Sequence, residues 1–198
     1  PFLTVPFQHF GNAEIGQDEI DFNIQRLGLW LKYNQKSAIS DKEWEQLRVD
    51  EVPPLDGPLH VGVKYAHDST NVAMSIAVRT KDGRVFVEVI DCRSARNGNN
   101  WIIDFLREAD VASLVIDGQS GQHILNAELH DFKMKQGYLP RVDEIVSANA
   151  LFDRSIERQT LCHKGQPSLS QVVGNCDKRR IGTKGGYGFK AINEDMNR

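Results

Sequence analysis

The first 58 residues combine a helical hydrophobic pattern with a proline-rich break. Between Asp18 and Asn34 the apolar residues recur at intervals of three and four positions, which predicts an amphipathic helix. Ser40 is followed three positions later by Glu43, a capping-box pattern that predicts a helix start before Trp44. The stretch Val52–Pro58 contains three prolines, so we predict a linker there.

After this linker the pattern changes to short runs rich in β-forming residues. Leu59–Ala66, Val72–Arg79 and Arg84–Asp91 are predicted strands, and Lys81-Asp82-Gly83 supplies a hairpin turn between the last two. Ala112–Ile116 is short, apolar and continuous, which predicts a buried parallel strand.

The rest of the chain alternates between the two kinds of element. We predict helices at Trp101–Ala109, His123–Lys135 and Ala148–Arg158, and a fifth strand at Val142–Val146. A hairpin-rich start followed by alternating units predicts an α/β fold. Its mixed β-sheet has about five main strands, with helices on both faces.

Composition limits the size and class of the protein. With 198 residues, 40% of them hydrophobic, the chain builds one core with a small appendage: we predict a lead-in of residues 1–58 and a main domain of residues 59–198. The net charge of −3 excludes a uniformly basic DNA-coating protein, although a local basic surface is compatible with it. No apolar run approaches the roughly 20 residues that span a bilayer. A start at Pro1 without a charged leader suggests a piece of a longer chain.

The three cysteines predict reduced, mostly buried thiols. Cys92, Cys162 and Cys176 form no CxxC pair and leave an odd one over, which suits a reducing cytoplasm. A zinc site including Cys162 and the adjacent His163 is disfavoured, because neighbouring side chains do not easily share a tetrahedral ion.

Asp117 is the best-placed candidate for chemistry. It ends the predicted strand and is followed by the flexible turn Gly118–Gly121 and a helix. In open α/β sheets, catalytic groups gather at such strand ends. A solvated turn aspartate that caps the next helix is the alternative.

The turn after the first strand is a second candidate. Asp68, Ser69, Thr70 and Asn71 all carry oxygens hard enough for Mg²⁺. An ordinary polar hairpin turn explains the same residues, so both interpretations stay open.

The stretch Lys178–Lys190 contains five cations, four glycines and two aromatic residues within thirteen positions. Cations neutralise phosphates and glycines permit close backbone approach, so we predict a DNA-contacting loop or β-hairpin. A flexible basic surface loop is the alternative. The cations are Lys178, Arg179, Arg180, Lys184 and Lys190.

Taken together, these features resemble the C-terminal nuclease domain of phage terminase large subunits, which is RNase H-like. The resemblance covers nearly the whole chain and lies in the order and spacing of its motifs. They are the amphipathic segment Phe22–Trp30, the helix around Trp44, Gly62 with Ala73 in the neighbouring strand, and Val115-Ile116-Asp117.

The resemblance implies a metal-dependent endonuclease that cleaves concatemers of double-stranded DNA. Carboxylates would hold two Mg²⁺ or Mn²⁺ ions for phosphodiester hydrolysis. The family also implies an upstream ATPase domain in the same chain, the small terminase subunit and the portal as partners, and action in the host cell cytoplasm without membrane attachment.

The acidic residues of this chain differ from the catalytic set of the family at the first position, and the third position has no clear counterpart. The first strand of the family usually carries an aspartate where this chain has Lys64, and an ammonium cannot ligate a metal. Asp68 is the candidate to replace that ligand, beside Asp117. For the third carboxylate the chain offers Asp195, although we expect the true third acid to lie beyond the present end.

Three other functions stay open. An RNase H-like DNA-binding or assembly module with weakened or lost catalysis is favoured by Lys64 and the incomplete acidic set. Another RNase H-like nuclease, of the resolvase or transposase type, is disfavoured by the lead-in helices. A serine hydrolase is disfavoured because Ser120 lacks the G-x-S-x-G pattern and His123 lies too close in the sequence to act as its base.

Overall fold

The computed structural model describes residues 37–183 and 185–192. The predicted helix at Asp18–Asn34 therefore lies outside the described residues. Within them, the first helix, α1, spans Asp41–Glu45 and begins with the predicted capping box. The Ser40 side chain accepts a hydrogen bond from the Glu43 backbone N–H, and the Glu43 carboxylate accepts one from the Ser40 backbone N–H.

The main sheet has five strands: β1 (Leu59–Tyr65), β2 (Asn71–Arg79), β3 (Val85–Ser94), β4 (Val111–Asp117) and β5 (Leu161–Cys162). They lie side by side in the order β4-β1-β2-β3-β5. β1 pairs antiparallel with β2, and β2 with β3, whereas β4 is parallel to β1 and β5 is parallel to β3. The predicted mixed sheet is confirmed.

The helices after α1 are α2 (Asn100–Glu108), α3 (Gln122–Asp131), α4 (Val142–Glu157) and α5 (Pro167–Gly174). A 3₁₀ turn at Ala95–Asn97 links β3 to α2. A separate antiparallel hairpin of β6 (Cys176–Ile181) and β7 (Gly186–Ala191) follows α5. Within the described residues no helix is long and apolar enough to cross a membrane.

The predicted turn between β2 and β3 is confirmed. Gly83 has a φ of 88°, in the region that favours glycine, and Thr80 donates a backbone hydrogen bond to the Arg84 carbonyl. The Asp82 carboxylate accepts hydrogen bonds from the Arg84 guanidinium, which hold the pKa of Asp82 far below its ordinary range.

One face of the sheet is covered by α2 and α3. Residues at alternate positions of β1 and β2 point to this face, because side chains of a strand alternate between its two sides. Ile102 and Ile103 of α2 and Leu125 and Leu129 of α3 complete the cluster. The strand residues in it are Val61, Val63, Tyr65, Val72, Met74 and Ile76, each at most 4% exposed.

Among the described residues, the opposite face of the sheet is covered at only one end. Val87 of β3 packs against a second cluster built from α1, α4, α5 and β5, so helices lie on both faces as predicted. Farther along this face, Lys64 of β1, Ser75 of β2 and Val115 of β4 are exposed. We call this uncovered part over β4, β1 and β2 the open face.

β4 differs from its prediction in burial. It is parallel, as expected, but it lies at the edge of the sheet, and its residues alternate between the core and the open face. Ile116 is fully buried, whereas Val115 is 37% exposed. The apolar run therefore marks an edge strand with a hydrophobic residue on its exposed side.

The predicted strand at Val142–Val146 is wrong, because this segment is the first turn and a half of α4. The Glu144 carboxylate accepts a hydrogen bond from the Arg141 backbone N–H and so caps the helix start. The side chain of Val146 then packs so closely against Gly186 that a Cβ at the glycine would lie 2.4 Å from it. Local β propensity was overridden by the cap and by packing on the hairpin.

Candidate functional site

The parallel pairing of β1 and β4 brings Lys64 and Asp117 side by side. Their Cα atoms are direct partners in the register, so both side chains point to the open face. The Lys64 ammonium contacts Oδ2 of Asp117 as a hydrogen-bonded ion pair. The lysine side chain is 63% exposed and the aspartate side chain 25% exposed.

Asp68 lies in the turn between β1 and β2, directly after the end of β1. Its Oδ1 accepts hydrogen bonds from the backbone N–H of Thr70 at 3.0 Å and from the Thr70 hydroxyl at 2.7 Å. This is the geometry of an aspartate that stabilises its own turn. The structure therefore gives Asp68 a local role in the turn.

The described residues do not contain a ready metal site. No three His, Cys, Asp or Glu side chains in residues 37–183 and 185–192 are grouped so that they can hold an ion. Asp195, the predicted third ligand, lies outside the described residues. Cys162 and Cys176 are free and buried, as predicted, whereas Cys92 is free and exposed.

The loop after β4 is held tightly against the end of β1. Gly118 has a φ of 111°, and a Cβ there would lie 2.6 Å from the Tyr65 carbonyl oxygen. Ser120 donates its hydroxyl hydrogen bond to the Ala66 carbonyl at 3.1 Å. This hydrogen bond to the backbone holds the loop in place.

A buried polar network beneath this loop was not predicted. The Tyr65 hydroxyl donates to Asn99 Oδ1 at 2.6 Å, and Asn99 Nδ2 donates to the Glu128 carboxylate at 2.7 Å. Burial is the main cause that raises the pKa of Tyr65 well above its ordinary value. The network ties the end of β1 to α2 and α3 on the covered face. The tyrosine at the end of β1, on the same side of the strand as Val61 and Val63, was the sequence signal for it.

The predicted basic segment forms the hairpin β6–β7, which packs on α4. Lys178 forms an ion pair with Asp153 of α4, and its ammonium lies 4.6 Å from the centre of the Tyr187 ring. Lys190 lies 3.6 Å from the Asp177 carboxylate. Lys178 thus joins the hairpin to α4, and Lys190 pairs with the opposite strand of the hairpin.

The remaining cations of the segment have different surroundings. Arg179 and Arg180 are exposed on β6, and Lys184 lies outside the described residues. Among the described cations of the hairpin, the two arginines are thus the ones presented to solvent without a carboxylate contact. Asp153 and Tyr187 decide this division, and the sequence pattern did not predict their contacts with Lys178.

Comparison with solved structures identifies the fold. The crystal structure of the HK97 bacteriophage large terminase is similar with a TM-score of 0.63 and 13% identity, over 92% of this chain and 48% of that one. The large terminase nuclease from thermophilic phage G20c matches with a TM-score of 0.51 and 13% identity, over 82% of this chain and 94% of that one. Its structure with bound magnesium matches with a TM-score of 0.51 at 11% identity, over 82% and 92% of the two chains.

At these identities the likeness shows a shared fold. The resemblance to RNase H-like terminase nuclease domains is thus confirmed for the fold, and the chain spans about half the length of the HK97 large terminase. No family model matches the sequence, and the curated proteins contain no match.

Proposed function

We propose that this chain is the nuclease module of a phage DNA-packaging terminase and hydrolyses phosphodiester bonds of double-stranded DNA concatemers. The observation that carries the proposal is the position of Asp117. It ends a strand at the open face of a sheet whose fold is that of terminase nuclease domains. Strand ends of this kind are where α/β proteins collect their catalytic groups.

Divalent cations are part of this proposal, as Mg²⁺ or Mn²⁺. Two-ion hydrolysis needs several carboxylates that converge on both ions. The described residues offer Asp117 on the open face, while Asp68 is engaged by Thr70. They therefore do not fit a two-ion site. A single cation at Asp117 needs a further ligand, for which Asp195 is our candidate.

The hairpin β6–β7 is our candidate for the DNA contact. Arg179 and Arg180 are exposed and always charged, which suits them to phosphate oxygens. Lys184 belongs to the same proposal, whereas Lys178 and Lys190 contribute more weakly because carboxylates already hold them.

The larger assembly is also proposed. Because the chain spans 48% of the HK97 large terminase, we propose that an ATPase domain precedes it in the same polypeptide. The small terminase subunit and the portal are the partners, and the host cell cytoplasm is the place of action. The division into a lead-in of residues 1–58 and a nuclease domain of residues 59–198 stays a prediction.

Plasmid nicking in the presence of Mn²⁺ tests the nuclease proposal. The wild-type chain is expected to convert supercoiled DNA to open-circular and linear forms, and Asp117→Asn to abolish this. Asp104→Asn is the matched control, because Asp104 is exposed on α2 and forms an ion pair with Arg107 of the same helix. Equal nicking by the wild type and Asp117→Asn would refute the assignment.

A DNA-binding or assembly module with weakened or lost catalysis is the second candidate. The ion pair between Lys64 and Asp117 favours it, because the ammonium neutralises the carboxylate on which a nuclease site would depend. This function predicts DNA binding without nicking, unchanged by Asp117→Asn. Filter binding and nicking on the same samples separate the two candidates.

A further inference from the structure

Lys64 and Asp117 form an ion pair on the open face, at the carboxylate where a divalent cation would bind. The two residues are cross-strand partners on parallel strands, so the strand pairing places the two side chains next to each other, and their charged groups are in contact. Both side chains lie on the open face, which distinguishes them from the surface pairs at turns and along helices.

Asp117 cannot serve the ammonium and a divalent cation equally well. Oδ2, which accepts from Lys64, is one of only two oxygens through which the carboxylate can bind a metal. An ion on the same carboxylate would also lie close to the Lys64 ammonium while that ion pair is formed, and the two positive charges would repel each other.

We infer that Lys64 is a built-in counter-cation that competes with a divalent ion for Asp117, so that Mg²⁺ or Mn²⁺ binds this carboxylate more weakly while the ammonium is in place than after its removal. The inference rests on the proposed function in one respect, the assignment of Asp117 as the central carboxylate. It concerns cation binding and makes no claim about catalysis.

Calorimetric titration of the 198-residue chain with MnCl₂, without DNA, tests the inference. Lys64→Met removes the charge and keeps most of the length of the side chain, and Lys64→Asp replaces the ammonium with a carboxylate opposite Asp117. We expect Mn²⁺ affinity to rise about tenfold in Lys64→Met and about a hundredfold in Lys64→Asp, from the removed repulsion and the added attraction.

Two controls tie the gain to this site. Lys81→Asp makes the same change of net charge at the exposed β2–β3 turn and should leave Mn²⁺ affinity unchanged. Adding Asp117→Asn to Lys64→Asp should remove most of the gain. Thermal unfolding without Mn²⁺ checks that each variant is folded, and the neutral Lys64→Met decides the question if Lys64→Asp is unstable.

Mn²⁺ binding by the wild type as tight as that of both Lys64 variants would overturn the inference, as would equal gains in Lys64→Asp and Lys81→Asp. The nicking assay separates this result from the proposed function. A Lys64 variant that gains Mn²⁺ but never nicks DNA supports the inference and counts against the nuclease. A wild type that nicks DNA and binds Mn²⁺ as tightly as both Lys64 variants does the reverse.

Discussion

Gly118 determines how the chain leaves β4 directly after Asp117. Its φ of 111° is strained for any residue with a side chain, and a Cβ would meet the backbone of Tyr65 at the end of β1. Since Lys64 precedes Tyr65, the glycine allows the two strand ends that carry the ion pair to approach each other. The absence of one side chain thus contributes to the geometry of the site.

Gly118→Ala should therefore lower the free energy of unfolding by about 3 kcal/mol, because torsional strain and a clash add up. Gly83→Ala is the matched control. Gly83 also has a positive φ, of 88°, but a Cβ there meets nothing within 4 Å, so only about 1 kcal/mol of strain is expected. Urea unfolding of both variants measures the difference, and equal losses would contradict the clash.

The contact between α1 and β5 depends on a buried histidine. His163 stacks on Trp44 with ring centres 4.0 Å apart, and its Nε2 donates to the Trp44 carbonyl at 2.9 Å. Its Nδ1 accepts from the Gly165 backbone N–H, so the imidazole is neutral. Burial is the main cause that lowers the pKa of His163 below its ordinary value.

This histidine makes folding pH-dependent in a defined window. The folded state binds a proton less readily than the unfolded state, whose pKa is about 6.5. The contribution of His163 to the free energy of unfolding is therefore complete above about pH 6.5. It decreases as the pH falls from there towards the lower pKa of the folded state. Urea unfolding between pH 7.5 and 5.5 should show this loss. His163→Gln, which cannot titrate, should be less stable at pH 7.5 but show a flatter dependence; an unchanged slope would assign the loss to other groups.

At the scale of the elements, side-chain contacts join the hairpin β6–β7 to α4. Lys178 is held by Asp153, and Tyr187 donates to the same carboxylate at 2.7 Å. Arg179 and Arg180 of the same hairpin are exposed. Neighbouring cations in the sequence therefore have different roles: Lys178 holds the hairpin in place, and the two arginines are available to a ligand.

Replacing both Arg179 and Arg180 with Ala should weaken DNA binding and reduce the slope of log K against log salt concentration by about 1.8, if each arginine contacts one phosphate. Lys178→Ala should change that slope less, since Asp153 already engages its ammonium. Fluorescence anisotropy with a labelled duplex at several salt concentrations measures both. A larger change in Lys178→Ala than in the double variant would contradict the division.

At the scale of the whole described molecule, two hydrophobic clusters lie on opposite faces of the sheet. The second one joins residues distant in the sequence, because Trp44 and Leu47 near α1 pack against Ile156 of α4 and Val173 of α5. Residues that precede the predicted linker therefore help to form the core around β5. The cluster covers its end of the sheet and leaves the open face uncovered.

Leu47→Ala should lower the free energy of unfolding by about 2–4 kcal/mol, because Leu47 is 2% exposed in this cluster. Leu151→Ala is the control: Leu151 is 59% exposed on α4, and its loss should stay within about 0.5 kcal/mol. Urea unfolding followed by tryptophan fluorescence compares them. A small effect of Leu47→Ala would support an independent lead-in that ends at residue 58.

The sequence alone determined the features that depend on local chemistry. Turn residues at Lys81–Gly83 predicted the β2–β3 hairpin, Ser40 and Glu43 predicted the capped helix, and the order of the elements predicted a mixed sheet with helices on both faces. Each is encoded within a few neighbouring residues or in the order of such segments, so no distant contact is needed to predict it.

Only the tertiary structure decided the rest, because it depends on which distant segments meet. Val142–Val146 became helical through its cap and its packing on the hairpin, and Lys178 was assigned to Asp153 by the same contact. Most of all, the parallel register of β1 with β4 set Lys64 against Asp117, 53 positions apart in the chain. Both residues stand out in the sequence, but the pairing of their strands depends on contacts between distant segments, and only that pairing joins the two residues in one ion pair.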